Sequence, residues 1–274
     1  MRVIRLIAFV FFAFVTESLY ATAQHGDILI VNGDTACIQS NPLEQYFSNK
    51  GKRTIGGIEM QATSTALWRG YIATWELEND SLFLVRMQTA YSKRNSREID
   101  IRKEFGSDKI FAEWVTDTII CPQGELLKYS HMGYMSIYEG EKYYTFKQGK
   151  LIDTESITFL ERDNTLLFPG DHFLRDTIKT AILKSIDSIE RDSIDENEPS
   201  ILVVGFNKDR EISYISFGEE PKNICEEIIL RNAKEALKGF PKLMKVNHKC
   251  YHPPTFELFF NVHCLKYPKD YKRV

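Results

Sequence analysis

Between residues 27 and 152 the sequence carries almost no helical periodicity, and this limits the fold more than any single motif. Apolar residues come in short runs bounded by turn-forming clusters. Residues 27–31 (DILIV) stop at Asn32-Gly33-Asp34. Residues 70–77 (GYIATWEL) and 82–87 (LFLVRM) flank Glu78-Asn79-Asp80-Ser81, which predicts a hairpin. Residues 109–115 predict another strand, and Pro122-Gln123-Gly124 reads as a break in the chain's regular structure. Residues 134–138, 143–146 and 150–152 read as a closing meander that turns at Gly140 and Gly149. Residues 41–47 predict a short helix with Asn41 as its cap and Pro42 at its first position. The expectation is a mainly antiparallel sheet over residues 24–160, its core filled by aromatic side chains.

The period then changes. Ile178, Ile182, Ile186 and Ile189 recur at helical spacing, which predicts one amphipathic helix over residues 171–193 capped by Asp171. Residues 187–198 (DSIERDSIDENE) are strongly acidic and lead to Pro199, so residues 161–199 read as a helix and acidic linker. Residues 201–207 and 211–217 predict a second hairpin around Lys208-Asp209-Arg210. Residues 224–237 predict a helix stopped by Gly239 and Pro241. Residues 256–265 (FELFFNVHCL) predict a last strand. The whole reads as α+β: a β-rich domain at 24–160, a linking amphipathic helix, and a small β-β-α-β domain at 200–274.

The first 23 residues have their own logic. Arg2 and Arg5 precede an apolar run over residues 6–15, and Ala21-Thr22-Ala23 supplies small residues at the exit. This is the pattern of a secretory signal peptide cut before Gln24. The run has ten residues, against about 20 for a membrane-spanning helix, and Glu17 follows it closely. The expectation is export to the periplasm or outer cell envelope, with no transmembrane helix in the mature chain.

Composition narrows the partners. A formal charge of −3 argues against nucleic acid. Apolar residues at 43% and aromatics at 12% supply real cores. Five cysteines (Cys37, Cys121, Cys225, Cys250 and Cys264) form an odd set whose connectivity cannot be read from spacing.

Motifs that carry chemistry are scarce. The sequence has no Gly-x-Ser-x-Gly elbow, no phosphate-binding Walker loop and no His-Glu-x-x-His. His248-Lys249-Cys250-Tyr251-His252, with His263, would converge on a metal only if the segment were an extended strand. Such spacing arises readily by chance, and the expected metal and cofactor set is none. Trp68, Tyr71, Trp75, Trp114, Tyr134 and Tyr138 suggest either a stacking platform for sugar or peptide or simply a sheet core; the core reading is preferred. Arg69 and Glu76 read as a surface pair.

The strand, strand, helix, strand order of residues 201–265, with Ala236-Leu237 running into Phe240-Pro241, resembles the C-terminal domain of the TonB family, energy transducers of the Gram-negative envelope. TonB proteins also carry a membrane helix and a long Pro-rich spacer, features this sequence lacks. Residues 68–77 (WRGYIATWEL), with Asn79-Asp80, Phe111-Ala112-Glu113-Trp114 and Pro122-Gln123-Gly124, resemble a secreted domain of Gram-negative bacteria to which no activity is attached. The TonB resemblance implies pairing of a sheet edge with partner peptides. The last strand is the expected edge, with Phe259 and Asn261 as partner-binding positions on the face opposite Phe256, Leu258, Phe260 and Val262. The leading expectation is a non-enzymatic envelope protein that binds a protein or glycan partner. A hydrolase acting on envelope polymers and an accessory of TonB-dependent transport are the alternatives.

Overall fold

The computed structural model describes residues 22–89, 97–194 and 197–267. The expected leader therefore lies outside the described residues up to position 21. The fold is α+β, and the chain divides into two compact units. The first holds the chain up to Pro122 with Ser130–Ser136 and Glu141–Ser156; the second holds Gln123–Tyr129, Ile137–Gly140 and the chain from Ile157 onward.

The first unit is built on β1 (Asp27–Val31), β2 (Asp34–Ile38), α1 (Leu43–Lys50), β3 (Thr54–Ile55), β4 (Ile58–Glu59), β5 (Ile72–Glu78), β6 (Ser81–Gln88), α2 (Arg102–Phe105) and β7 (Ile110–Phe111). β8 (Asp117–Lys128), β9 (Ile137–Lys147) and β10 (Lys150–Thr158) each begin in one unit and end in the other. The large sheet has the order β2-β1-β5-β6-β10-β9-β8, with β7 added beside β6. It is mostly antiparallel, but β1 runs parallel to β5. Just past β2, Gln39 N donates to Ile120 O at 2.8 Å and Ile120 N to Ser40 Oγ at 2.9 Å. The two ends of the order thus meet, and the sheet curls toward closure.

The turns explain the hairpins. Asn32-Gly33, Asn79-Asp80 and Gln148-Gly149 all have positive φ at both residues, as a tight two-residue hairpin requires. The strand after Asn32-Gly33, β2, is not apparent in the sequence. The meander is corrected at Gly140, which is not a turn but a buried residue inside β9. A Cβ there would come within 2.4 Å of the Ile157 carbonyl oxygen, so the glycine lets two backbones approach. The strand expected at 109–115 shrinks to the two residues of β7, and β8 runs straight through Pro122. The helix at 41–47 starts one residue later, with Pro42 at the N-cap and no side-chain cap. Asn41 is drawn elsewhere: its Oδ1 accepts the Tyr134 hydroxyl at 2.8 Å.

The second unit contains β11 (Leu160–Glu161), α3 (Asp171–Ser185), α4 (Ser188–Asp192), β12 (Leu202–Phe206), β13 (Ile212–Ser216), α5 (Ile224–Ala236), β14 (Lys245–Val246), β15 (Thr255–Leu258) and α6 (Val262–Lys266). Leu174, Ile178, Ile182 and Leu183 of α3 share one core with Leu202, Val204, Ile228, Ile229, Phe256 and Leu258. Residues 171–194, part of the stretch 161–199 read from the sequence as a helix and acidic linker, thus supply a packed layer of this unit. The single helix expected at 171–193 is two. Gly170, not Asp171, is the first N-cap, and the break comes after Ile186, where Asp187 and Glu190 form a capping box that starts α4. Ile189, expected to face inward, is 76% exposed as a result.

Candidate functional site

The three-stranded sheet of the second unit has the order β13-β12-β15. Its register pairs Val204 with Ile215 and Phe256, and Leu202 with Leu258; this row faces the core and is buried except for Ile215, which is partly buried. α3 packs against β15 and α5 against β13, so the helices cover this inner face. The alternate row points the other way. It consists of Val203 between Ser216 and Glu257, and of Gly205 between Tyr214 and Thr255. Ile201 and Phe259 continue the same row past Leu202 and Leu258. Tyr214 (48%), Phe259 (56%) and Ile201 (38%) are exposed large apolar side chains. At Gly205 an added Cβ would sit 3.3 Å from Thr255 Oγ1, so the outer face has a flat strip between Tyr214 and Thr255.

The expected last strand is corrected. Residues 256–265 are not one strand: β15 ends at Leu258, and residues 262–266 form α6. Asn261 is the reason. It adopts an extended N-cap conformation, and its Oδ1 accepts the Cys264 N–H at 2.7 Å, which turns the chain into a helix. Phe259 lies on the open face, as alternation requires. Asn261 is committed to capping. Past the end of β15, the Glu198 carboxylate accepts the N–H of Val262, the first residue of α6, at 3.3 Å. The other outer strand, β13, pairs only with β12 among the described residues. A register shift beside Gly205 leaves Ser213 bulged, and Ser213 and Tyr214 are both exposed.

The aromatic set of the first half separates into two groups. Tyr71 and Trp75 are fully buried and, with Ala73, line the core. Trp114 stacks on Phe105 at 5.8 Å. Trp68 is half-exposed. Arg69 does not pair with Glu76, which is bound to Lys109 at 2.7 Å. Instead Arg69 is sealed with Asp27: Nη2 donates to Oδ1 at 3.1 Å, and both side chains are fully buried. The Asp27 carboxylate also accepts Ala73 N–H at 3.1 Å and the Trp75 indole N–H at 3.0 Å. Arg69 donates further to His25 O at 2.8 Å and to the Tyr134 hydroxyl. Burial pushes the Asp27 carboxyl up, against the pull of Arg69 and the N–H donors. Burial alone would lower the Arg69 guanidinium, but Asp27 together with Tyr134 and Tyr71 outweighs it and holds it above its ordinary value. Asp27 and Arg69 are closed to solvent, so this pair organises the core.

The remaining expected positions are dispersed. His248 Nδ1 accepts the Cys250 N–H at 3.2 Å within a turn, so the segment is not the extended strand a shared metal would need. Among the described residues no three His, Cys, Asp or Glu side chains converge as a metal site. Cys121 Sγ lies 3.7 Å from Cys37 O, but Cys121 is buried in the core whereas Cys37 is on the exposed side of β2. A shallow hollow of about 380 Å³ beside Glu98, Asp100 and Asp108 carries carboxylates matched by Arg86, Lys103 and Arg102 in turn. Among the described residues no helix is long and apolar enough to cross a membrane.

Comparison with protein-family models, with curated proteins and with solved structures gave no match. The outer face of the β13-β12-β15 sheet is therefore identified on geometry alone. The signal for it was present in the alternation of residues 201–206 and 255–259. What the sequence did not reveal was that both helices would pack on the other side.

Proposed function

We propose that this chain is an exported envelope protein that acts by binding, and that its second unit takes an extended segment of a protein partner along β13. The observation that carries this reading is the edge of β13, which pairs with no further strand among the described residues and lies beside a face bearing the exposed Tyr214 and Ile201. An incoming strand would pair with that edge and cover that face in one step. The TonB resemblance points the same way, and the leader read from the sequence supports a partner outside the cytoplasm. Asp27 and Arg69 are sealed from solvent, which removes this carboxylate as a candidate for hydrolysis.

The test has two stages. A photo-crosslinking residue at position 214, with one at position 234 as control, is exposed to envelope extract, and the crosslinked partner is mapped by mass spectrometry. A synthetic peptide covering the mapped segment is then measured against the same peptide N-methylated at alternate positions. Main-chain pairing predicts crosslinks from position 214 alone and loss of binding in one N-methylation phase. Equal binding of all the methylated peptides would refute strand addition.

A further inference from the structure

Among the three tryptophans, Trp75 is sealed in the core, Trp114 is stacked on Phe105, and Trp68 is 49% exposed. Trp68 is nevertheless held firmly. Leu67 N donates to Ser64 O and Gly70 N to Leu67 O, while His25 N donates to Ala66 O at 2.9 Å. Gln24 Nε2 donates to Thr65 O at 2.7 Å, and Gln24 Oε1 faces the Trp68 N–H at 3.4 Å. Gly70, at φ +79°, closes the turn where a Cβ would fall 2.2 Å from the Gln61 carbonyl oxygen. The indole is thus presented by a fixed loop, and little ordering cost remains for a ligand that stacks on it.

The Arg53 guanidinium lies 5.7 Å from the Trp68 ring and 5.0 Å from the Phe47 ring. Arg53 is itself locked by both oxygens of Glu44 and by the Arg69 carbonyl. One side of the indole thus has a fixed ion pair for a neighbour, and the ring remains half open. Arg53 and Glu44 keep 35% and 27% of their side chains exposed and cancel each other's charge. Gln24 and Thr65 add neutral polar groups nearby. A flat apolar plate with a polar rim of no net charge suits a neutral polyol with one apolar face. Gly133 pairs with Ala23 and Gln24, so its loop, with Met132 and Met135 more than half exposed, borders the same segment and widens the surface beyond one ring.

We propose that Trp68 is a stacking platform for a neutral β-1,4-linked pyranose chain. In such a chain the ring substituents are equatorial, so axial C–H groups form flat apolar faces and hydroxyls project sideways toward the rim. The proposal concerns a surface of the first unit and stands apart from strand addition at β13.

Cellohexaose and chitohexaose are titrated calorimetrically into the purified protein, with maltohexaose, whose α-1,4 linkage curls the chain, as comparator. At least one of the two flat hexasaccharides is expected to bind with a dissociation constant on the order of 1 mM or tighter. Trp68→Ala is expected to weaken it about tenfold or more, and Trp68→Phe by less. Urea unfolding of each variant checks that the fold is kept. A ligand-induced change in tryptophan fluorescence that disappears in Trp68→Phe provides a second readout. Absence of binding by both flat hexasaccharides at about 10 mM overturns the proposal. So does binding that Trp68→Ala leaves unchanged, or maltohexaose binding as tightly as the flat chains.

Discussion

Asp27 Oδ1 and Arg69 Nη2 meet at 3.1 Å with neither side chain exposed to solvent. Asp27 lies at the start of β1 and Arg69 just before β5, so the ion pair sits where these two parallel strands enter the core. The carboxylate also receives Ala73 N–H and the Trp75 indole. Removing one partner strands the other charge in a low-dielectric site. Asp27→Asn or Arg69→Met should cost about 3–5 kcal/mol, measured as a fall in the urea midpoint. The double variant Asp27→Asn with Arg69→Met should recover part of that loss, since no lone charge remains. A single variant that unfolds at the wild-type midpoint would show that the pair does not organise the core.

The second unit should lose stability in acid. Burial pushes the Glu226 carboxyl up, but hydrogen bonds from Ser200 N and Lys222 N, both at 2.8 Å, outweigh it and hold the group below its ordinary 4.5. Glu190 is held low in the same way by Asp187 N, Arg231 and Asn232. The folded pKa lies below the unfolded one, so the native state binds fewer protons. This stability is complete above the unfolded value and is lost as pH falls through the folded one. Thermal unfolding followed from pH 7 to pH 3 should show the loss beginning near pH 5 and below. Glu226→Gln should lower the melting temperature at pH 7 and flatten its acid dependence. An unchanged acid slope in that variant would remove Glu226 from the explanation.

The sequence signalled elements wherever one physical rule acted alone. Asn79-Asp80 specified a hairpin because two positive φ values favour such residues, and the helix at Ile224–Ala236 followed from its apolar spacing; its cap, Asn223, is seen only in the structure. It misled where two rules competed. Ile189 continued the spacing of Ile186, yet the Asp187 capping box ended one helix and began another. Pro122 looked like punctuation, but β8 is last in the strand order, where a missing N–H can be tolerated. Gly140 looked like a turn because close backbone approach and turning both select glycine. At the candidate site, alternation placed Phe259 on the outer face correctly, while Asn261 carried a capping preference that overrode strand propensity. Trp68 was indistinguishable from Trp75 by residue type, because exposure is decided by the long-range packing of the loop against Gln24 and Arg53.

Asn261→Ala should destabilise the second unit by about 1 kcal/mol, the usual loss when an asparagine N-cap is removed. Asn261→Asp should retain most of the cap, since the carboxylate can accept the Cys264 N–H in the same geometry. Urea unfolding distinguishes the two. Equal midpoints for Asn261→Ala and wild type would mean that α6 does not depend on its cap.

Arg191 lies in the stretch read from the sequence as a helix and acidic linker, and its guanidinium is engaged through both terminal nitrogens. Nη2 donates to the Leu183 and Ile186 carbonyls, the latter at 2.7 Å, and Nη1 donates to the Leu265 carbonyl. It therefore caps the end of α3 and ties α6 to it, satisfying carbonyls that helix ends leave without partners. Lysine carries one nitrogen in place of the planar fork and cannot reach all three acceptors together. Arg191→Ala should cost roughly 2–3 kcal/mol, because buried acceptors lose their donors. Arg191→Lys should recover little of it. In the native protein trypsin should cut slowly after Arg191, since cleavage requires this side chain to leave its carbonyls and enter the protease. Rapid cleavage there under native conditions, together with an unchanged urea midpoint for Arg191→Ala, would show that the segment is a free connection after all.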